Sequence, residues 1–210
     1  MAAESPYATS HKGLRHALAR FELEAGRARY DEPGSLDALK ARGRELALLL
    51  SHHLEAENRW YLAPLRARDE AAALHDLGDH ERLEPLQQRM METLEAMDTR
   101  TTREAAHAFY LLVTEFHAKY LEHILHEERV TEARIRARFS DAEIDAMSGD
   151  VVRHVELPVL LASLRYIVPA QPVAESRALL ARLREAPFYA DVIAALRADL
   201  SAEELARLVD

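Results

Sequence analysis

The stretch HHLEAENRWYLAPL, residues 52–65, combines helix-forming residues with two histidines and two glutamates. His53 and Glu57 are four residues apart, so on a helix both side chains lie on one face. Such a pair is either an ordinary surface contact or a pair of metal ligands. The chain around it is rich in Ala, Leu, Glu and Arg and holds only 6 glycines, a composition that favours helix almost throughout. The stretch therefore predicts one helix of an all-α protein.

Composition argues against several classes of function. The 210 residues are enough for one well-packed domain. A net charge of −9 without a basic cluster argues against nucleic acid as a partner. No apolar run approaches the roughly 18 residues that span a membrane. The first 13 residues lack the apolar centre of a secretory signal, and the chain has no cysteine, so we expect a cytoplasmic protein.

Apolar residues at helical spacing predict four long helices followed by a helical tail. The long helices lie near residues 14–25, 36–66, 71–97 and 103–139, and a capping box at residues 140–143 opens a fifth towards residue 166. Shorter helices are predicted near 173–185, 189–199 and 201–209. Short connections make sequential helices antiparallel neighbours, so the predicted fold is an up-down-up-down four-helix bundle with additional C-terminal helices. Residues 1–139 would form the bundle, and residues 140–210 an extension packed on or beside it.

The pair His53 and Glu57 has a counterpart at His123 and Glu127, again four residues apart. Either pair alone is weak, because polar pairs at this spacing are common on exposed helix faces. Two such pairs near the ends of two long predicted helices are better explained if both serve one site.

Distances along the chain strengthen that interpretation. His11 precedes His53 by 42 residues, and His80 precedes His123 by 43. The midpoint of each interval falls in a predicted connection, as does the midpoint between Glu57 and His80. In antiparallel helices of equal rise, residues equidistant from the turn lie at the same height. The predicted cluster of metal ligands therefore has six members: His11, His53, Glu57, His80, His123 and Glu127.

This donor set has a definite chemistry. Neutral imidazole and carboxylate together suit iron, manganese or zinc, and a carboxylate can bridge two ions. Four-helix bundles hold such centres with side chains that project inward from facing helices. Buried carboxylates without a partner are costly, so inward-facing glutamates indicate a metal.

On four stretches the chain resembles the hemerythrin-like (HHE cation-binding) family. The stretches are HKGLRHAL (11–18), HHLEAENRWYLAPL (52–65), DHERLEPL (79–86) and HILHEERVTEARI (123–135). The resemblance covers roughly residues 7–140, and the segment from Ser140 onward is similar to the helical extension of some bacterial members. It implies a four-helix bundle that holds two non-haem iron ions joined by an oxo or hydroxo bridge, with manganese or zinc as possible replacements. By the same resemblance the six residues above are the ligands, and the two glutamates bridge the ions.

The resemblance also implies a function. We expect binding of dioxygen, or of a related ligand such as peroxide or nitric oxide, for oxygen or redox sensing or binding. The alternative is a di-iron oxygen-activating enzyme, an oxidase, oxygenase or peroxidase-like protein with a small substrate. The binding protein is favoured over the enzyme, no catalytic residue is assigned, and both a monomer and a homodimer are open.

The third helix departs from the family pattern, which has His-x-x-x-His there. The residue four before His80 is Asp76, and the residue four after it is Glu84. Either a carboxylate replaces the missing histidine, or His75 reaches inward because Gly78 permits a π-bulge. Pro85 argues against Glu84, because proline distorts the helix at that point.

The other polar and aromatic residues near the motifs are expected to serve the fold. The histidines at 16, 52, 107, 117, 126 and 154, and the glutamates at 55 and 128, are predicted to lie outside the ligand set and mostly at the surface. Trp60, Tyr61, Phe116 and Tyr120 are predicted core residues. A second interpretation has Tyr61 or Tyr120 donating a hydrogen bond to a bound small ligand.

Overall fold

The structure, a computed structural model, describes residues 5–209, and within that range it contains helices and no strand. The α-helices are α1 (Ala8–Arg27), α2 (Pro33–Glu57), α3 (Ala63–Arg68), α4 (Glu70–Ala96), α5 (Arg103–His126), α6 (Glu132–Arg138), α7 (Asp141–His154), α8 (Leu157–Ile167), α9 (Val173–Leu183), α10 (Tyr189–Arg197) and α11 (Ala202–Val209). Two π-helical turns, π1 (Asn58–Leu62) and π2 (Glu127–Thr131), join α2 to α3 and α5 to α6. The predicted all-α class is confirmed.

Side chains at the helix starts explain several boundaries. The Asp69 carboxylate accepts a hydrogen bond from the backbone of Ala72 at the start of α4, and Thr102 serves α5 in the same way. Ser140 and Glu143 form the predicted capping box at the start of α7. These caps satisfy backbone N–H groups that a helix leaves without partners at its first turn.

Four long helices surround the main core. Helix α1 packs against α2 and α5, and α4 packs against the same two helices. The core between them contains the buried residues Phe21, Leu46, Leu50, Met90 and Phe116. Burial of these large apolar side chains is the main stabilising contribution in such a helical bundle.

Three predicted details differ from the structure. The predicted second and fourth helices each contain a π-helical turn, at residues 58–62 and 127–131. Helix α4 passes through Gly78 without the π-bulge considered there. The prediction of one helix from residue 140 towards 166 is wrong, since α7 ends at His154 and α8 begins at Leu157. Pro158 lies in the first turn of α8, where a backbone N–H has no partner within the helix, so proline favours the start of a new helix there.

The C-terminal helices cover one side of the bundle. Helix α8 packs against α1 and α2, and it contributes Val159 and Tyr166 to the main core. Helices α9–α11 pack around a separate apolar cluster that includes Leu180, Val192 and Leu205. Across residues 5–209, no helix combines the length and the apolar character needed to cross a membrane.

Candidate metal centre

The structure brings together the six residues that the spacing singled out. They come from the first half of α1, the last turns of α2, the middle of α4, the end of α5 and the start of π2. Five are buried, and the side chain of His53 is 12% exposed. Their polar atoms form two groups of possible metal ligands: His11, His53, Glu57 and Glu127, and then Glu57, His80, His123 and Glu127.

The first group is built on an imidazole pair from α1 and α2. Nε2 of His11 lies 3.1 Å from Nε2 of His53. Oε1 of Glu57 lies 2.9 Å from the His53 nitrogen and 3.4 Å from the His11 nitrogen. Two ligand atoms about 2.1 Å from a shared ion and at right angles are about 3.0 Å apart. The first group therefore has the spacing of ligands around one metal ion.

The second group repeats this arrangement between α4 and α5. Nε2 of His80 lies 3.2 Å from Nε2 of His123. Oε2 of Glu57 lies 3.6 Å from the His80 nitrogen, and Oε2 of Glu127 lies 3.3 Å from the His123 nitrogen. Because the two oxygens of Glu57 face different imidazole pairs, this carboxylate has the placement of a bridge between two ions.

The two glutamates also share a local backbone feature. Glu57 is the last residue of α2 before π1, and Glu127 is the first residue of π2. A π-helical turn is uncommon and occurs often at functional sites. No pattern in the sequence singled out these two positions for it.

The buried carboxylate oxygens show whether these residues could bind metal ions. Oε2 of Glu57 and both carboxylate oxygens of Glu127 have no hydrogen-bond partner within residues 5–209. Buried polar atoms normally have one, since an unpaired charge in an apolar interior is costly. Nitrogen and oxygen donors of this kind suit iron, manganese or zinc. The residues present therefore could hold two such ions.

Ionisation of the glutamates reflects the same crowding. Burial and the nearby Glu57 carboxylate raise the pKa of Glu127 well above its usual value. Burial also acts to raise the pKa of Glu57, but the imidazoles of His53 and His11 outweigh it and hold that pKa well below normal. Two adjacent carboxylates cannot both be ionised cheaply in such a site unless a cation lies between them.

The histidines of the second group are held in the form that binds metals. Burial lowers the pKa of His123 to about 3, and burial also lowers the pKa of His80. Both imidazoles are consequently neutral at physiological pH, and a neutral imidazole has a free lone pair for a metal ion.

Outer hydrogen bonds orient two of the imidazoles. Nδ1 of His11 donates to Glu128 Oε1 at 3.1 Å, and Nδ1 of His80 donates to Asn58 Oδ1 at 2.8 Å. Such hydrogen bonds fix the tautomer that leaves the Nε2 lone pair free for a metal ion. Nδ1 of His123 lies 3.5 Å from Oδ2 of Asp79 and has no hydrogen-bond partner among the described residues.

The two residues that accept these hydrogen bonds, Glu128 and Asn58, were not predicted from the sequence to contact the site. Glu128 lies outside both groups of possible ligands, as expected, but its side chain is only 26% exposed, and Arg15 pairs with it at 2.7 Å. Asn58 was not singled out by the sequence analysis. Both residues directly follow a motif glutamate, and that position is the signal that could have found them.

The three alternatives for a seventh ligand differ in how deeply their side chains are buried. Glu84 is exposed and lines a surface groove with Ser51 and Gln88. The His75 side chain is 48% exposed. Asp76 is fully buried, and its Oδ2 accepts a hydrogen bond from Thr131 at 2.5 Å. None of the three belongs to either of the two groups above, within the part of the chain that the structure describes.

Tyrosines pack on both sides of the centre. The ring of Tyr7 stacks on His11 with centroids 5.0 Å apart, and the ring of Tyr120 lies edge-on to His123 at 5.8 Å. Both hydroxyls are buried and have no hydrogen-bond partner among the described residues. Burial, reinforced by the two glutamates, raises the pKa of both phenols well above normal. The Tyr61 hydroxyl, in contrast, donates to Ser148 at 3.2 Å.

Other sequence expectations have mixed outcomes. Tyr61, Phe116 and Tyr120 are buried as predicted, but Trp60 is only partly buried and packs beside His154. Tyr7 was missed, although it lies one helical turn before His11, on the same face. The remaining histidines have other contacts. His16 Nδ1 lies 3.2 Å from the carbonyl oxygen of Tyr166, His117 pairs with Glu22, and His126 stacks on His75.

The site thus combines four imidazoles and two carboxylates from four helices in one buried layer. Its interpretation rests on the geometry of these side chains. Comparisons of the chain with models of protein families, with curated proteins and with solved structures found no match in any of the three.

Proposed function

We propose that the chain is a hemerythrin-like protein, an up-down-up-down four-helix bundle that holds two non-haem iron ions and binds dioxygen or a related small ligand. Peroxide and nitric oxide are such ligands, and oxygen or redox sensing or binding is the proposed role. The observation that carries the proposal is the placement of two buried carboxylates, each of which lies in both imidazole groups.

Each residue has a role in this proposal. His11 and His53 would hold one ion, His80 and His123 the other, and Glu57 would bridge the two. Glu127 would be the second bridge. When bound, an adjacent pair of iron ions supplies the electrons that dioxygen takes up as it binds. Manganese or zinc would fit the same donor set.

The surrounding side chains favour a small ligand. Buried rings of Tyr7 and Tyr120 pack against His11 and His123 and cover part of these imidazoles. Their free hydroxyls are positioned to donate hydrogen bonds inside the buried layer. Glu128 and Asn58 would hold two imidazoles in the tautomer that ligation requires.

An oxygen-activating enzyme is the second candidate, and one observation favours it. A groove of about 590 Å³ between α4 and α5 is bordered by His123, His126 and Asp79. A groove of that size could admit a small organic substrate to the second imidazole pair. A further groove, lined in part by residues 151–159, borders His52 and none of the six proposed ligands.

Elemental analysis with optical spectroscopy tests the proposal. We expect two tightly held metal ions per chain, and an absorption band that disappears on reduction and returns on exposure to oxygen. His53→Ala and Glu127→Ala should lose metal, whereas His107→Ala, at an exposed position of α5, should keep it. Full metal content in both ligand variants would overturn the assignment. Loss of the band only after addition of a candidate substrate would favour the enzyme.

A further inference from the structure

We propose that His75, Asp76 and His126 form a third metal site, which binds one divalent transition-metal ion beside the two groups described above. The three side chains offer one ligand atom each, and these atoms lie within 4.8 Å of one another. None of the three belongs to either of those groups, so the proposal does not depend on the function proposed above.

The buried carboxylate of Asp76 is the central observation. Asp76 is 0% exposed, and the Thr131 hydroxyl in π2 donates a hydrogen bond to its Oδ2. This contact fixes the carboxylate and leaves Oδ1 without a hydrogen-bond partner in the described range 5–209. An unpaired, buried carboxylate oxygen is costly and requires an explanation.

Both histidines place a ring nitrogen near this free oxygen. Oδ1 of Asp76 lies 3.6 Å from Nδ1 of His75 and 3.7 Å from Nε2 of His126. These separations are too long for hydrogen bonds. Ligand atoms about 2.1 Å from a shared ion and about 110–120° apart are about 3.4–3.6 Å from each other. The two distances from Oδ1 therefore match the spacing of ligand atoms around one ion.

The two imidazole rings stack on each other, nearly parallel, with centroids 3.7 Å apart and an interplanar angle of 16°. Because the lone pairs of stacked rings lie in parallel planes, the half-exposed His75 ring would turn out of the stack to share an ion with His126. Nε2 of His126 is buried and, like Oδ1 of Asp76, has no hydrogen-bond partner within residues 5–209. Two imidazoles and one carboxylate are a donor set for Fe²⁺, Mn²⁺ or Zn²⁺, with the remaining positions open to other ligands.

The surroundings of the cluster let water reach it, and they leave few other groups that could neutralise the Asp76 carboxylate. His75 and His126 line the groove of about 590 Å³ between α4 and α5, so water could complete the coordination. Asp79 lies 3.4 Å from Nδ1 of His75, but Arg82 forms an ion pair with its carboxylate. Asp76 is therefore the carboxylate in this cluster whose negative charge most requires a cation.

Counting bound ions tests the third site. The metal-free full chain is equilibrated with Co²⁺ by dialysis, and bound cobalt is measured for the wild type, His75→Ala and His126→Ala. We expect each variant to bind one ion fewer per chain than the wild type, with an unchanged circular dichroism spectrum. His107→Ala removes a histidine outside the cluster and should bind as many ions as the wild type.

A second arm separates this proposal from the two-metal centre. In a His53→Ala/His123→Ala background, one ion should remain bound and should be lost when His126→Ala is added. Equal cobalt content in the wild type and the His75→Ala/His126→Ala variant would overturn the third site, whatever the other groups bind. Loss of an ion in Asp76→Asn but not in His126→Ala would assign Asp76 to the second group and would also overturn it.

Discussion

Glu57 and Glu127 lie at the same kind of junction on two different helices, each within one residue of the point where an α-helix changes to a π-helical turn. Both carboxylates are buried, and each lies in both groups of possible metal ligands. The two helices therefore present their ligands in the same way. Each has a histidine four residues before its glutamate, and a widened turn begins at the glutamate or directly after it.

A bridging role for Glu57 predicts that one substitution disturbs both ions. Glu57→Gln removes the negative charge that faces both imidazole pairs, so both tightly held ions should be lost or weakened. His80→Ala removes a ligand from one group only and should affect one ion more than the other. Metal content per chain, measured after gel filtration, distinguishes the two results.

The exposed Glu55 offers a matched control for this experiment. Glu55→Gln makes the same chemical change two residues away and should leave the metal content unaltered. If Glu57→Gln loses a single ion and retains the other at full affinity, Glu57 is a terminal ligand and does not bridge.

Glu128 is predicted to strengthen metal binding without touching the metal. Its carboxylate accepts the Nδ1 hydrogen of His11 and is held in place by Arg15. Removing such an outer partner typically lowers metal affinity about 10–100-fold. Glu128→Ala should show a loss of this size in competition with a chelator, and Glu128→Gln, which keeps an acceptor oxygen, should show a smaller one. An unchanged affinity in Glu128→Ala would contradict this role.

Because the hydroxyls of Tyr7 and Tyr120 are buried without a partner, removing one of them should stabilise the metal-free protein. In metal-free protein, Tyr120→Phe removes a buried, unpartnered hydroxyl and should raise the free energy of unfolding by about 1 kcal/mol. Tyr61→Phe is the matched control, and because its hydroxyl donates to Ser148 it should lower that free energy slightly. Thermal unfolding in the presence of a chelator measures both.

The same tyrosines bear on ligand release from metal-loaded protein. If Tyr7 or Tyr120 donates a hydrogen bond worth about 1.4 kcal/mol to a bound ligand, its Phe variant should release that ligand about tenfold faster. Equal release rates in both Phe variants and the wild type would leave the hydroxyls without a role in ligand binding.

Sequence spacing could place the six proposed ligands in one layer, because equal rise in packed helices brings equidistant residues to the same level. It could not place the π-turns, since no residue type specifies them: Gly78 permitted one, yet they occur beside Glu57 and Glu127. The hydrogen-bond partners of the imidazole Nδ1 atoms could not be predicted from the sequence either. Glu128 contacts His11 from another helix, and only the relative rotation of α1 and π2 decides that it faces inward.

Close contact at Gly13 predicts that the C-terminal helices are docked firmly on the bundle. A Cβ atom at this position would lie 2.6 Å from the side chain of Ile167 in α8 and 3.2 Å from its backbone. Gly13→Ala should therefore lower the free energy of unfolding by about 1–3 kcal/mol, the usual cost of overpacking. Chemical denaturation measures this loss.

Gly34 provides the control for that substitution. It lies in the first turn of α2, and a Cβ atom there would meet no described atom within 4 Å. Gly34→Ala should be neutral or stabilise by up to about 1 kcal/mol, since alanine is the better helix former. Similar destabilisation in both variants would indicate a general effect of the added methyl group and not the α1–α8 contact.

The hydrogen bond between Glu22 and His117 predicts a specific loss of stability in acid. Oε2 of Glu22 lies 2.5 Å from Nδ1 of His117, and the Thr114 hydroxyl donates to Oε1 at 2.8 Å. Burial acts to raise the pKa of Glu22, but these hydrogen bonds outweigh it and hold that pKa below the ordinary 4.5. The ionised form is therefore favoured by folding. Its stabilising effect is complete above about pH 4.5 and is lost as the pH falls through the lower folded-state pKa.

Thermal unfolding of the wild type and Glu22→Gln across this pH range measures the effect. Near neutral pH the variant should be less stable by about 1 kcal/mol, because the pair is partly exposed and screened. The difference should shrink steadily as the pH falls below 4.5, where the wild-type carboxylate also becomes protonated. Glu122→Gln, at an exposed position of α5, should show no such convergence. A stability difference that stays constant or grows in acid would mean that the Glu22 charge does not stabilise the contact between α1 and α5.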